Sequence, residues 1–316
     1  RVPVPYSRLI GREQEVSEVV ALLASRENRV VTLVGPGGIG KSRLAIEVAD
    51  AVADNFPDGS VFVALENVLE PNLLLPTIAY ALGIRDTGEV PLEKRLEIAF
   101  EGRRSLIVLD NFEQLVRAAP VLVRLYELAP DAAFLVTSRA VLRIRGERAY
   151  EVPPLATHDP ASPTSVTRAM TAPAVELFVE RARAVKPDFE LTLENAPAVT
   201  GICDALEGLP LAIELAAART RVLSPASLLQ RLERQLPMLV DSSRDLPERQ
   251  RTLRSTIEWS AALLQESQRC LLADLGVFAQ DFTLEAVESL GTGRAWDGQA
   301  IDGLAALVDS SLVSQR

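Results

Sequence analysis

His158 is the only histidine among 316 residues, so chemistry that needs an imidazole base is excluded everywhere else in the chain. Beside Asp159 and Pro160 it reads as a solvated loop residue. Cysteine is nearly as scarce. Cys203 and Cys270 are too few and too far apart for a disulfide framework or a zinc site, which suits a reducing cytoplasm. Positive charge is also short: 33 Lys and Arg against 43 Asp and Glu leave a formal net charge of −10. That balance argues against non-specific wrapping of nucleic acid or adhesion to an anionic membrane, while leaving room for a local basic face. No apolar run approaches the roughly 18 residues of a membrane span. No signal peptide precedes Pro3-Val4-Pro5, and no internal repeat is visible. The first residue is Arg1 rather than methionine, so the sequence reads as a piece of something longer. What is present is ordinary, with 48% hydrophobic and 24% charged residues and enough length for two or three domains.

One stretch stands out. Val30 to Val34 is a continuous apolar strand, followed by Gly35, Pro36, Gly37, Gly38, Ile39, Gly40, Lys41, Ser42 and Arg43 at the start of a predicted helix. Gly35, Gly40, Lys41 and Ser42 fit G-x-x-x-x-G-K-[ST], the phosphate-binding loop. Glycines let backbone N–H groups curl round phosphate oxygens, and the helix N-terminus adds favourable partial charge. Lys41 is placed to reach the β- and γ-phosphates and the Ser42 hydroxyl to ligate Mg²⁺. The pattern predicts binding of a nucleoside triphosphate.

The rest of the chain organises around that loop. Residues 1–28 form an N-terminal segment and a helix with Val16, Val19, Val20 and Leu23 on one face. Residues 29–154 read as a nucleotide-binding domain, with further strands at 60–65, 106–110, 132–138 and 149–152. Two helices between 71 and 101 are broken at Gly83 and Pro91. Strands alternating with helices imply a parallel sheet covered on both faces. From 155 to 240 helices take over: a Thr-, Ser- and Pro-rich linker at 156–173, a helix capped by Thr171, another from Asn195 to Leu206, and an alanine-rich one from Leu211 to Arg221. Residues 241–316 open with a polar linker, 241–250. Short helices follow around 252–264, 267–275, 283–290 and 300–309, suggesting a helix-turn-helix or truncated winged-helix body.

Three further residues point at the loop. Asp110 closes an apolar strand, and its carboxylate falls at the strand's C-terminal end, where open α/β sheets bind ligands; its expected role is to hold Mg²⁺ with Ser42. Glu113, one turn on, either orients an attacking water or is an exposed helix carboxylate. Arg139 ends the fourth strand at the same edge and can neutralise and report a γ-phosphate. Arg143, Arg145 and Arg148 read as solvated, or as an interface to a neighbouring subunit.

Taken in order, Ile10-Gly11-Arg12-Glu13, the phosphate loop, Leu109-Asp110-Asn111-Phe112-Glu113-Gln114, Thr137-Ser138-Arg139, Gly208-Leu209-Pro210-Leu211-Ala212-Ile213-Glu214-Leu215 and Arg251-Thr252-Leu253-Arg254-Ser255-Thr256 span almost the whole chain. Together they resemble the STAND class of signalling ATPases, also called AP-ATPase or NB-ARC-like. The likeness is to the bacterial branch found in transcriptional regulators with LuxR-type, SARP-type or cyclase effector domains. It implies an α/β P-loop NTPase with a five-stranded parallel sheet in the order 5-1-4-3-2, a helical lid and a winged helix. It also implies ATP/ADP and Mg²⁺ as cofactors, with Ile10, Gly11 and Arg12 lining the adenine side and Pro210 and Leu211 pressing from the lid. The expected behaviour is that of a switch. An ADP-bound closed monomer exchanges to an ATP-bound form that self-associates, hydrolysis is slow, and effector and sensor domains lie in the same parent chain. Two departures stand out: Asn111 replaces a common second acidic residue, and residues 252–316 lack the histidine that several relatives place against the ADP β-phosphate. Arg251 or Arg254 are candidates for that role.

Two other readings compete. A phosphotransferase enzyme would use the same loop, but no acceptor-pocket signature accompanies it. A DNA-reading winged helix would present residues 301–309, which hold two aspartates and no Lys or Arg, a poor surface for phosphate or base contacts. Direct DNA binding by this fragment is therefore not expected.

Overall fold

The computed structural model describes residues 2–5, 7–25, 27–84, 90–157, 171–232, 264–278, 282–296, 298–309 and 312–313. Its centre is a sheet of five parallel strands, β1 (Val30–Val34), β2 (Ser60–Ala64), β3 (Leu106–Asp110), β4 (Ala133–Ser138) and β5 (Glu147–Glu151), in the order β2-β3-β4-β1-β5. That is the order implied by the family resemblance, read from the other edge. Continuous apolar runs make sense here because β1, β3 and β4 are buried on both faces. Alternate residues part company: Val30, Ile107, Leu109, Phe134 and Val136 face one core, Val31, Leu33, Leu106, Val108 and Leu135 the other.

The first core is roofed by α3 (Leu74–Ala81), α4 (Leu92–Phe100) and α5 (Ala119–Leu128), the second by α1 (Glu13–Ala24) and α2 (Lys41–Ala51). The fifth strand starts two residues earlier than expected, at Glu147. Two things set that start. Val30 pairs with Glu147 in the parallel register, and the Glu147 carboxylate accepts the N–H groups of Leu142 (2.9 Å) and Arg143 (2.7 Å), which shapes the turn into the strand. As an exposed edge strand it carries charge, so its apolar pattern starts late.

A second cluster of helices follows the sheet: α6 (Pro173–Val185), α7 (Ala196–Ala205), α8 (Pro210–Ala218) and α9 (Pro225–Leu232). They share one core, in which Phe178 meets Phe189 edge-on at 6.1 Å and α8 buries Ala212, Ile213, Leu215, Ala216 and Ala217. Thr171 does not cap α6. Ala172 takes the cap position with Pro173 at the first helical residue, where its missing N–H costs nothing. Asn195 precedes α7 as expected.

The described C-terminal residues hold α10 (Glu266–Leu275), α11 (Leu284–Gly291) and α12 (Ala300–Asp309) around Leu271, Val287, Trp296 and Leu307. Most of the 156–173 linker with His158, the 241–250 linker, the helix expected over 252–264 apart from Leu264, and Arg251 and Arg254 lie outside the described residues. Among the described residues no helix is long and apolar enough to cross a membrane.

Candidate functional site

Parallel strands deliver their C-terminal ends to one edge, and β1, β3 and β4 bring Gly35, Asp110 and Arg139 there side by side. The glycine loop leaves β1 and runs into α2 at Lys41, with Gly40 at the cap position. Backbone amides of the first turn of α2 have no intrahelical carbonyl to pair with and face outward along the axis. Lys41 folds back over the loop, its Nζ donating to the carbonyls of Gly35 (2.7 Å) and Pro36 (3.0 Å). Burial pulls its pKa down from the usual lysine value to about 8. Glu113 and Asp110 act against that shift and Arg139 acts with it. An ammonium hydrogen-bonded to two carbonyls, at a desolvated loop, is suited to an anion with more charge than a carbonyl dipole carries.

Beside it, the Ser42 hydroxyl donates to Asp110 Oδ1 at 2.6 Å. Asp110 is nearly buried, which raises its pKa, while hydrogen bonds from Ser42 and Thr137 oppose the rise. A hydroxyl and a carboxylate in contact form the hard-oxygen pair that Mg²⁺ prefers. Among the described residues no three His, Cys, Asp or Glu side chains could hold an ion by themselves. A cation here would take its remaining oxygens from water and from a ligand's phosphates, so the donor set fits the group.

Thr137 stands in the Thr137-Ser138-Arg139 segment without an expected role, and the structure gives it one. It donates to Asp110 Oδ1 at 2.6 Å and accepts the Asn111 N–H at 2.9 Å, orienting the carboxylate and the chain beyond it. The signal was available: β3 and β4 pair Leu109 with Val136, so the next position sets Asp110 against Thr137. Asn111 adopts a left-handed backbone (φ 62°) and its amide donates to Asp110 Oδ2 at 2.9 Å. Such a turn is tolerated by asparagine better than by most residues. Downstream of it Glu113 is not an exposed helix carboxylate. It is buried against Arg139, whose Nε donates to Glu113 Oε1 at 3.2 Å.

The helical cluster closes on the same loop. Leu211 N–H donates to Gly38 O at 3.1 Å, and the Leu211 side chain occupies the space a Cβ on Gly38 would need, with 2.7 Å between the two Cβ positions. On the other flank, Ile10 is buried in the core of the helical cluster, Gly11 packs on Pro173, and Arg12 reaches Ile39 O at 3.3 Å and Glu15 at 2.7 Å. The Arg43 side chain turns away from the loop and donates to Ser7 O, leaving only its backbone in the helix's first turn. Arg181 of α6 donates to Ser7 Oγ at 3.2 Å and to Glu214 of α8 at 3.0 Å. Residues 7–12 thus strap the sheet domain to the helical cluster.

A model of the NB-ARC domain matches residues 12–141. An uncharacterized protein of Mycobacterium tuberculosis is 35% identical over 307 residues, covering 96% of this chain and 74% of that protein. The chain belongs to the NB-ARC family. A second protein of M. tuberculosis, named an HTH-type transcriptional regulator, is 40% identical over 93% of this chain and 32% of its own length. The regulatory protein AfsR of Streptomyces griseus is 31% identical over 99% of this chain and 31% of its own length. This NB-ARC chain therefore spans about a third of the length of the regulators it matches. Among solved structures, a STAND protein with a tetratricopeptide repeat sensor from Pyrococcus horikoshii covers 99% of this chain and 41% of its own, at 18% identity and a TM-score of 0.40. That likeness is too distant to bear on function.

Proposed function

We propose that this NB-ARC chain is the ATP/ADP-operated switch of a bacterial transcriptional regulator, working in the cytoplasm. Residues 29–154 would bind the nucleotide, 155–240 would act as the lid, and 241–316 would form a winged helix that packs rather than reads DNA. The observation that carries the proposal is the Leu211 N–H bond to Gly38 O, which fastens the first turn of the lid helix α8 to the loop that would hold the phosphates. A lid fixed at that point meets whatever the loop carries.

In this reading the backbone N–H groups of residues 35–43, Pro36 excepted, and the Lys41 ammonium grip the polyphosphate. Ser42 and Asp110 hold Mg²⁺, which when bound supplies positive charge against the phosphate oxygens. Ile10, Gly11 and Arg12 on one side and Pro210 and Leu211 on the other enclose the adenine and ribose. Arg139 neutralises the γ-phosphate, and Glu113 orients the attacking water. ADP keeps lid and sheet domain together as a monomer. Exchange for ATP favours an open form that self-associates and acts on effector and sensor domains in the same parent chain. A ligand moves such an equilibrium only through different affinities for the two forms. Slow hydrolysis then works as a timer. Steady-state turnover faster than about 1 s⁻¹, the range of metabolic enzymes, would favour a phosphotransferase instead.

Lys41→Ala is the direct test. Titration calorimetry should show ADP and ATP binding abolished; affinity equal to that of the parent chain would overturn the site assignment.

A further inference from the structure

Glu113 and Arg139 form an ion pair whose side chains are only 6% and 8% exposed, beside Lys41 and Asp110. Its geometry is lopsided. Glu113 Oε1 takes the Arg139 Nε bond at 3.2 Å, while Glu113 Oε2 is buried with no hydrogen-bond partner among the described residues. Buried charges are costly to leave uncompensated, so each partner holds the other until a better one arrives. Two cations and two carboxylates meet here, with Asp110 already engaged by Ser42, Thr137 and Asn111. Glu113 is therefore the carboxylate positioned to compete with an incoming phosphate for Arg139.

We infer that Glu113 is a specificity-determining residue: it competes with the terminal phosphate of a nucleoside triphosphate for Arg139, and so sets the preference between tri- and diphosphate. The inference rests on the reading of this loop as a nucleotide site and adds to it. With a diphosphate bound, Arg139 stays on Glu113, and the Glu113 carboxylate is neutralised and withheld from water. With a triphosphate bound, Arg139 turns its donors to the third phosphate, and Glu113 is released as an acceptor. One exchange of partners would thus both sense the third phosphate and expose the carboxylate that orients water. The pair also costs affinity, because part of Arg139's attraction for phosphate is already spent on Glu113.

Removing the competitor should then favour the triphosphate selectively. The experiment measures calorimetric affinities for ADP and for the β,γ-imido analogue of ATP, so that hydrolysis plays no part, in the parent chain, Glu113→Gln, Arg139→Gln and the double variant. Glu113→Gln should raise the ratio of triphosphate to diphosphate affinity on the order of tenfold, the scale of a typical coupling between linked sites. The double variant should lose that gain. Glu113→Asp, which keeps the charge but draws it back by one methylene, should give a smaller rise in the same ratio, and it serves alone if Glu113→Gln does not fold. An unchanged ratio, or an equal loss of both affinities, would mean the pair is only structural and would overturn the inference while leaving the nucleotide site standing. If the parent chain binds neither nucleotide, both fall.

Discussion

Thr137 shows how much of the site rests on a side chain whose motif gives it no role. Its hydroxyl serves Asp110 and the Asn111 N–H together, so Thr137→Val keeps the shape and removes both bonds. Leaving the Asn111 N–H without a partner should cost about 1–3 kcal/mol in denaturant unfolding. Magnesium-dependent nucleotide binding should weaken in the same variant, and Thr137→Ser should restore both. Lys41 gives a second prediction at this scale. Its pKa of about 8 in the folded chain lies below the usual lysine value, so the protonated side chain is disfavoured by folding. Stability from this group therefore rises as pH climbs from about 8 towards the unfolded value. Polyphosphate needs the ammonium form, so nucleotide affinity should fall as pH rises past that point. Calorimetry about one pH unit above it, in buffers of different ionisation heat, should show protons taken up on binding. The positions of Lys41, Ser42 and Asp110 at one edge of the sheet were legible in the sequence because loop and strand ends fix them. The Glu113–Arg139 pair was not, because it depends on the left-handed turn at Asn111, which no spacing announces.

The strands β1, β3 and β4 could be read almost to the residue, since burial on both faces writes an unbroken apolar run. The edge strand β5 and the start of α6 could not: the first is an exposed edge placed by its pairing with β1, and the second begins at Pro173 after the buried Ala172 rather than at a polar cap. Phe134, fully buried in β4, should cost about 3–5 kcal/mol when cut to alanine, measured by chemical denaturation. Gly208, between α7 and α8, is more constrained still. Its φ is 68°, and an added Cβ would lie 2.1 Å from the Leu155 carbonyl oxygen, a backbone atom that cannot swing aside. Gly208→Ala should therefore displace the start of α8 from the phosphate loop and lower the melting temperature. Unchanged nucleotide affinity in that variant would show that the lid contributes nothing to binding.

At the scale of the molecule, the strap at residues 7–12 and the Leu211–Gly38 bond give the sheet and the helical cluster a shared seam. The Leu211 amide reports on that seam directly. Its hydrogen exchange should be slow with ADP bound and faster by at least about tenfold with the β,γ-imido triphosphate, if the triphosphate opens the lid. Equal protection in both states would leave opening without support.

The sheet order carries a last consequence, for how the chain is made. β1 gains its neighbours only from β4 and β5, and Phe134, the partner of Val30, stands 104 residues beyond it. Proteins are built from the N-terminus, and distant pairings form slowly. A ribosome will therefore have released the glycine loop well before the strands that brace it exist. In the newborn chain this segment is an untethered string of small residues, and its hold on phosphate is acquired only once the sheet's far side arrives.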